Sequence, residues 1–179
     1  KNLSDIGSIY GIKGELQKAL ESYRESLQLY EKAKIWGYKS DTLNRVGEVY
    51  TALGNYEEAL TFLEESLQLY TDNFRKAEPL TNIADVYYHQ GKLAEAMAKC
   101  EESLAFSRTY GGRIQSGVTL HLMGKIRLST ALKTGLQEHY ADALQYIQEA
   151  VTIFKDTGSR HLPEAEATLK QIQEKIEHG

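Results

Sequence analysis

The chain has 179 residues, with 21 Lys and Arg against 25 Asp and Glu, a formal net charge of −4 and 41% hydrophobic residues. That balance can bury a core, its acidic surplus offers a phosphate backbone no general attraction, and no stretch approaches the eighteen or so apolar residues that a membrane span needs. The single cysteine, Cys100, excludes an internal disulfide or a Cys-based metal site and suits a reducing, cytoplasmic setting.

An internal period organises everything else. The hexapeptide Glu-Ser-Leu-Gln-Leu-Tyr at 25–30 recurs at 65–70, an offset of 40 residues, within the range of stacked repeat units. Unit one, 1–37, carries a small residue (Gly7), an aromatic three residues on (Tyr10), a helix-breaking Gly14, then Ala19 and Ser26, and is predicted to close at Trp36-Gly37. Unit two, 38–73, repeats the order with Gly47, Tyr50, Gly54, Ala59, Ser66 and a closing Asn73. Unit three, 74–111, does so with Ala84, Tyr87, Gly91, Ala96, Ser103 and Gly111. Unit four, 112–158, has Gly124, Ala143, Ala150 and Gly158.

Each feature has a mechanical reason. Small residues at matched heights let two antiparallel helices approach, aromatic and aliphatic residues fill the wider gaps, and glycine accepts the left-handed conformation of a helix C-terminus. Asn55 followed by Glu58 reads as a capping box opening the second helix of unit two. Between Gly124 and Ala143 stand seven extra residues, about two helical turns, which predict that the first helix of unit four runs on past its usual end. In the tail, 161–178, Leu162, Ala165, Leu169, Ile172 and Ile176 form one apolar stripe, the pattern of a terminal capping helix. The expected architecture is all-α: a right-handed solenoid of four helix pairs plus a cap, in one domain over 1–179. Lys1 opens inside a patterned segment, so the chain is read as part of a longer protein. The uncovered side of unit one is expected to support self-association.

The order Leu/Ile–Gly/Ala–Tyr, then Gly–Asn/Glu–Tyr/Leu–x–x–Ala–Leu, then Ser/Ala, resembles the tetratricopeptide repeat. The period near 40 is similar to the long-repeat subclass of kinesin light chains, bacterial peptide-pheromone regulators and bacterial signalling proteins. The resemblance implies a protein- or peptide-binding module whose first helices line a concave groove. It puts ligand-facing positions at Ser4/Ser8, Asn44/Glu48, Thr81/Asp85 and His121/Lys125, with Thr51, Tyr88 and Leu128 one turn on and Asp41 and Glu78 one turn earlier. The Lys/Asn/Arg clamp of chaperone-tail binders is missing. Asp41, Glu48, Glu78 and Asp85 instead make the middle of the groove acidic, which suits a partner with a basic segment.

Catalytic and cofactor motifs are not found: there is no phosphate-cradling Gly-rich loop, no His-Glu-x-x-His and no Gly-x-Ser-x-Gly. Asp85, His89 and His121 could in principle hold a metal, but read as groove residues, and His139, His161 and His178 as surface. Cys100 and the repeat-matched tyrosines read as core, and Trp36 as a packing residue or a partner hot spot. The expectation is a binding scaffold that needs no enzyme activity, metal or cofactor. A peptide-sensing array that controls an attached effector domain is one alternative, and a nucleic-acid-binding helical repeat another.

Overall fold

The computed structural model describes residues 3–71 and 73–177, and these form nine α-helices, one short 3₁₀ turn and no strand. The helices are α1 (Leu3–Ile12), α2 (Leu16–Ala33), α3 (Trp36–Ala52), α4 (Tyr56–Leu69), α5 (Ala77–His89), α6 (Leu93–Thr109), α7 (Arg113–Thr134), α8 (Gln137–Thr157) and α9 (Leu162–Glu177), with the 3₁₀ turn over Asn73–Lys76. The all-α repeat expectation holds: helices follow one another in antiparallel succession, with α1–α2 and α3–α4 paired in the first part of the chain and α7–α8 paired in the last, followed by α9. Two compact units divide the chain, Lys1–Val86 and Tyr87–Gly179.

In the first unit, α1 packs on α2, α2 on α3 and α3 on α4. Its core gathers Ala19, Tyr23, Val46 and Val49, flanked by Tyr10, Leu20, Tyr50 and Phe62, and the Tyr50 and Phe62 rings stack with centroids 5.4 Å apart. The small residues work by absence. A β-carbon on Gly7 would lie 2.6 Å from the Tyr23 ring, and one on Gly47 would lie 2.4 Å from Leu63 Cγ. In the second unit, α6 packs on α7, α7 on α8 and α8 on α9. Gly124 approaches Ile147 as Gly47 approaches Leu63, with a β-carbon 2.4 Å from Ile147 Cδ1. Cys100 is fully buried. The cap seats Ala165 and Ile172 inward, both fully buried, while Ile176 is exposed.

One turn joins α1 to α2, α3 to α4 and α5 to α6. Gly54, at φ +77, donates its N–H to Thr51, and Asn55 donates to the Tyr50 carbonyl. Gly91 and Lys92 repeat the pattern on Tyr88 and Tyr87, and Gly14 and Glu15 on Gly11 and Tyr10. This is the Schellman arrangement, in which the residue after the glycine both seals one helix and opens the next. It corrects the capping-box expectation. Asn55 sits at the N-cap with ψ 73, and its side chain makes no capping hydrogen bond, because its backbone is held by the helix before.

Three other expectations change. Helix α2 ends at Ala33, where Lys34 takes the left-handed conformation at φ 54. Trp36 therefore begins α3 rather than ending α2, and Gly37 lies within that helix instead of breaking one. Asn73 opens the 3₁₀ turn and is not a helix stop. The seven extra residues of unit four are shared between both helices of the hairpin. The small residue precedes the turn glycine by seven positions in the first three pairs and by eleven from Gly124 to Gly135; the alanine follows the glycine by five positions in those pairs and by eight from Gly135 to Ala143. Each helix of the pair is thus about one turn longer.

Candidate functional site

The acidic positions expected to line a groove lie on α3 and α5 of the first unit, and they meet two arginines that spacing alone did not single out. Arg45 Nη1 lies 2.8 and 3.0 Å from the two carboxylate oxygens of Glu48, and its Nη2 lies 3.0 Å from Glu78. Asn82 Nδ2 donates to Asn44 Oδ1 at 3.0 Å and to Glu48 Oε1 at 2.9 Å. One polar network therefore ties α3 to α5. A second begins at Asp41, which accepts from the Tyr70 hydroxyl and pairs with Arg75 at 3.1 Å.

These contacts set the electrostatics. Burial raises the Glu78 carboxyl pKa, with Glu48 and Asp41 adding to the effect and Arg45 opposing it. Burial works against the charge on Arg45, but Glu48 and Glu78 outweigh it and the pKa rises. The Tyr70 phenol is pushed up by burial first and by its hydrogen bond to Asp41 second.

The other expected groove residues divide by burial. Asn44, Thr81 and His121 are buried, at 1%, 3% and 7% exposure. Asn44 spends its amide on Asn82 and Glu48, and Thr81 donates to the Ala77 carbonyl. Glu48, Glu78, Asp41, Asp85 and Thr51 are half-buried, and Thr51 donates to the Gly47 carbonyl. On α1, the Ser4 hydroxyl is 3.3 Å from that of Thr42, and Ser8 is 3.1 Å from the Tyr23 hydroxyl. In the second unit, Lys125 stands over the Tyr88 ring at 5.5 Å and 3.8 Å from Glu164 on α9. Tyr88 accepts from Ser129 at 3.3 Å, and Leu128 is buried.

His121 points to α9, where its Nε2 is 3.0 Å from Thr168 Oγ1. His161, expected at the surface, is half-buried with its ring 5.6 Å from that of Phe154. His178 lies outside the described residues. Trp36 is 44% exposed at the start of α3, with the Lys39 ammonium 5.6 Å from its ring centre. Among the described residues no helix is long and apolar enough to cross a membrane.

The Arg45–Glu48 pair has the i, i+3 spacing of a helix-surface ion pair, a signal present in the sequence. Its extension to Glu78 and Asn82 depends on how α3 meets α5, which no local spacing shows.

Successive helix pairs built on the same small-residue and turn-glycine pattern define a helical-repeat protein. Two models of the tetratricopeptide repeat match it, over residues 2–72 and 80–111. Together they cover more than half of the chain, which belongs to the tetratricopeptide repeat family. Similar solved structures include a Rap protein complexed with Competence and Sporulation Factor, at TM-score 0.83 and 17% identity over 95% of this chain and 47% of that one. Aspartyl phosphate phosphatase F from Bacillus subtilis aligns at TM-score 0.78 and 16% identity, over 98% of this chain and 45% of that one. The apo form of RapI aligns at 0.76 and 16%, over 98% of this chain and 63% of that one. The chain thus spans less than two thirds of each of these proteins. A comparison with curated proteins gives no match.

Proposed function

We propose that this chain is a non-enzymatic scaffold that binds a protein or peptide segment carrying basic residues, using the α3–α5 face of its first unit. The observation that carries the reading is a charge imbalance on that face. Asp41, Glu48 and Glu78 stand there with Arg45 and Arg75 paired among them, so three carboxylates meet two guanidiniums and the face favours a cationic partner. Within the second unit, Tyr88 and Lys125, with ammonium and ring centre 5.5 Å apart, are a separate ligand-facing candidate.

A second reading has one specific support. A Rap protein of the same fold is complexed with Competence and Sporulation Factor, and this chain covers 47% of that protein. On this reading the chain is the sensing part of a larger regulator whose effector lies elsewhere. Ile9 and Ile12 on α1, 41% and 78% exposed, would serve self-association of the chain.

The test is capture of a partner from the source cells on the immobilised chain, followed by Glu48→Gln with Asp85→Asn. We expect the double variant to lose most of the captured partner at low salt, and Glu101→Gln with Glu102→Gln, on exposed α6 positions, to keep it. Undiminished capture by the first double variant would remove the α3–α5 face as the site.

A further inference from the structure

The α7–α9 contact is built around a histidine that has no role in the binding reading. His121 is 7% exposed, and its Nε2 is 3.0 Å from Thr168 Oγ1 on α9. The Thr168 hydroxyl donates its one hydrogen to the Glu164 carbonyl at 3.1 Å, so toward His121 it can only accept. The neutral imidazole therefore carries its proton on Nε2, and a second proton would go to Nδ1.

Burial and the positive charge nearby disfavour that second proton. From α7, the Lys125 ammonium acts on His121 through space, and His161, just before α9, is another nearby group that gains positive charge on acidification. Glu164 on α9 is the one opposing carboxylate, and it is already shared with Lys125 at 3.8 Å. From α8, Lys155 is engaged by Glu166 at 3.2 Å. Burial is the largest influence holding both histidines below the usual imidazole range, with Lys125 and His161 adding at His121 and Arg160 at His161.

We propose that α9 is a proton-sensitive latch: protonation of His121 weakens its docking against α7, so mild acidification shifts the helix toward release. The linkage has a definite sign. The released state takes up a proton near the ordinary histidine pKa of about 6.5 while the docked state resists it. Docking is therefore strongest above about pH 6.5 and weakens as pH falls below that value, until the docked histidine also titrates. Among the described elements α9 packs on α8 and α7, and local opening of such a helix is read separately from opening of the other helices.

Amide hydrogen exchange on the full chain tests this, with protection factors corrected for intrinsic rates. The amides of Leu162–Glu177 should lose up to about tenfold protection between pH 7.5 and 5.5, the factor set by an open-state pKa near 6.5. Those of α3 should hold steady. His121→Gln, which can still donate to Thr168 but cannot become charged, should flatten the dependence. Unchanged α9 protection in the native chain, an equal loss in α3, or an equally steep loss in the Gln variant would each overturn the latch. Should His121→Gln fail to dock α9 at neutral pH, a nuclear magnetic resonance titration of His121 in the native chain decides. A midpoint at or above about 6.5 sinks the proposal, and one clearly below supports it.

Discussion

Gly47 and Leu63 compete for the same volume: a β-carbon on the glycine would sit 2.4 Å from Leu63 Cγ and 3.3 Å from the Ala59 carbonyl oxygen. Leu63 is fully buried, so the leucine has nowhere to retreat. Gly47→Ala should cost about 1–3 kcal/mol of overpacking, reduced by the roughly 1 kcal/mol that alanine gains over glycine in a helix. The cost should shrink or change sign in the background of Leu63→Ala, where the leucine conflict is gone and the helix preference of up to about 1 kcal/mol is opposed only by the tight Ala59 carbonyl contact. Urea denaturation of the four chains in this cycle measures it, and additive effects would mean that the two residues are not in conflict. Glu57→Gln, on the exposed face of α4, should stay within about 0.5 kcal/mol.

Tyr70→Phe removes one hydrogen bond and little else. The ring is 6% exposed, and its hydroxyl donates to Asp41. Hydrogen bonds to charged groups contribute roughly 1.5–3 kcal/mol, and Arg75 remains to pair with Asp41, so a loss toward the low end, about 1.5 kcal/mol, is expected. An unchanged denaturation midpoint would show that the phenol is equally well satisfied by water.

Glu78 should act against stability at neutral pH. Its folded carboxyl pKa is raised, burial being the largest cause, so the folded protein binds the proton more tightly than the unfolded chain does. Stability contributed by that proton is present at low pH and is lost as pH climbs from the unfolded value through the raised one. Glu78→Gln should therefore melt slightly higher than the native chain at pH 7, with the gap closing toward pH 4. Nearly half of the side chain is accessible, so screening keeps the effect small. A lower melting temperature for the variant at pH 7 would show that Arg45 gives the charged form more than burial takes away.

Most of the fold was legible because its determinants are local. The order of small residue, aromatic, glycine and alanine states where helices approach, where they stop and how the next begins. Where reading failed, two local signals competed. Asn55 and Glu58 have the spacing of a capping box, but the turn glycine before them had already committed the Asn55 backbone to the preceding helix. Gly37 has the composition of a helix stop, yet the chain turned three residues earlier at Lys34, a residue with no glycine-like freedom. The candidate site was less legible because it lies between helices. Asn44, Thr81 and His121 sit at positions that face a ligand by register, and a neighbouring helix or partner side chain covers each of them here. Register picks out Asn44 and not the adjacent Arg45. Its value comes from Glu78, 33 residues further along the chain.

The α7–α8 hairpin implies a rule about chain length. Its two helices keep their contact at Gly124 and Ile147 although the loop between them has moved outward by a turn. Any length change that leaves that contact intact must add whole turns to both arms, so tolerated insertions come in steps of about seven residues. One extra residue in a single arm beyond that contact would turn the tip of that arm by about 100°, so the loop would no longer lead the second arm back in register. Among hairpins of this kind, length should vary in jumps, with the tip growing outward while the packed part keeps its register.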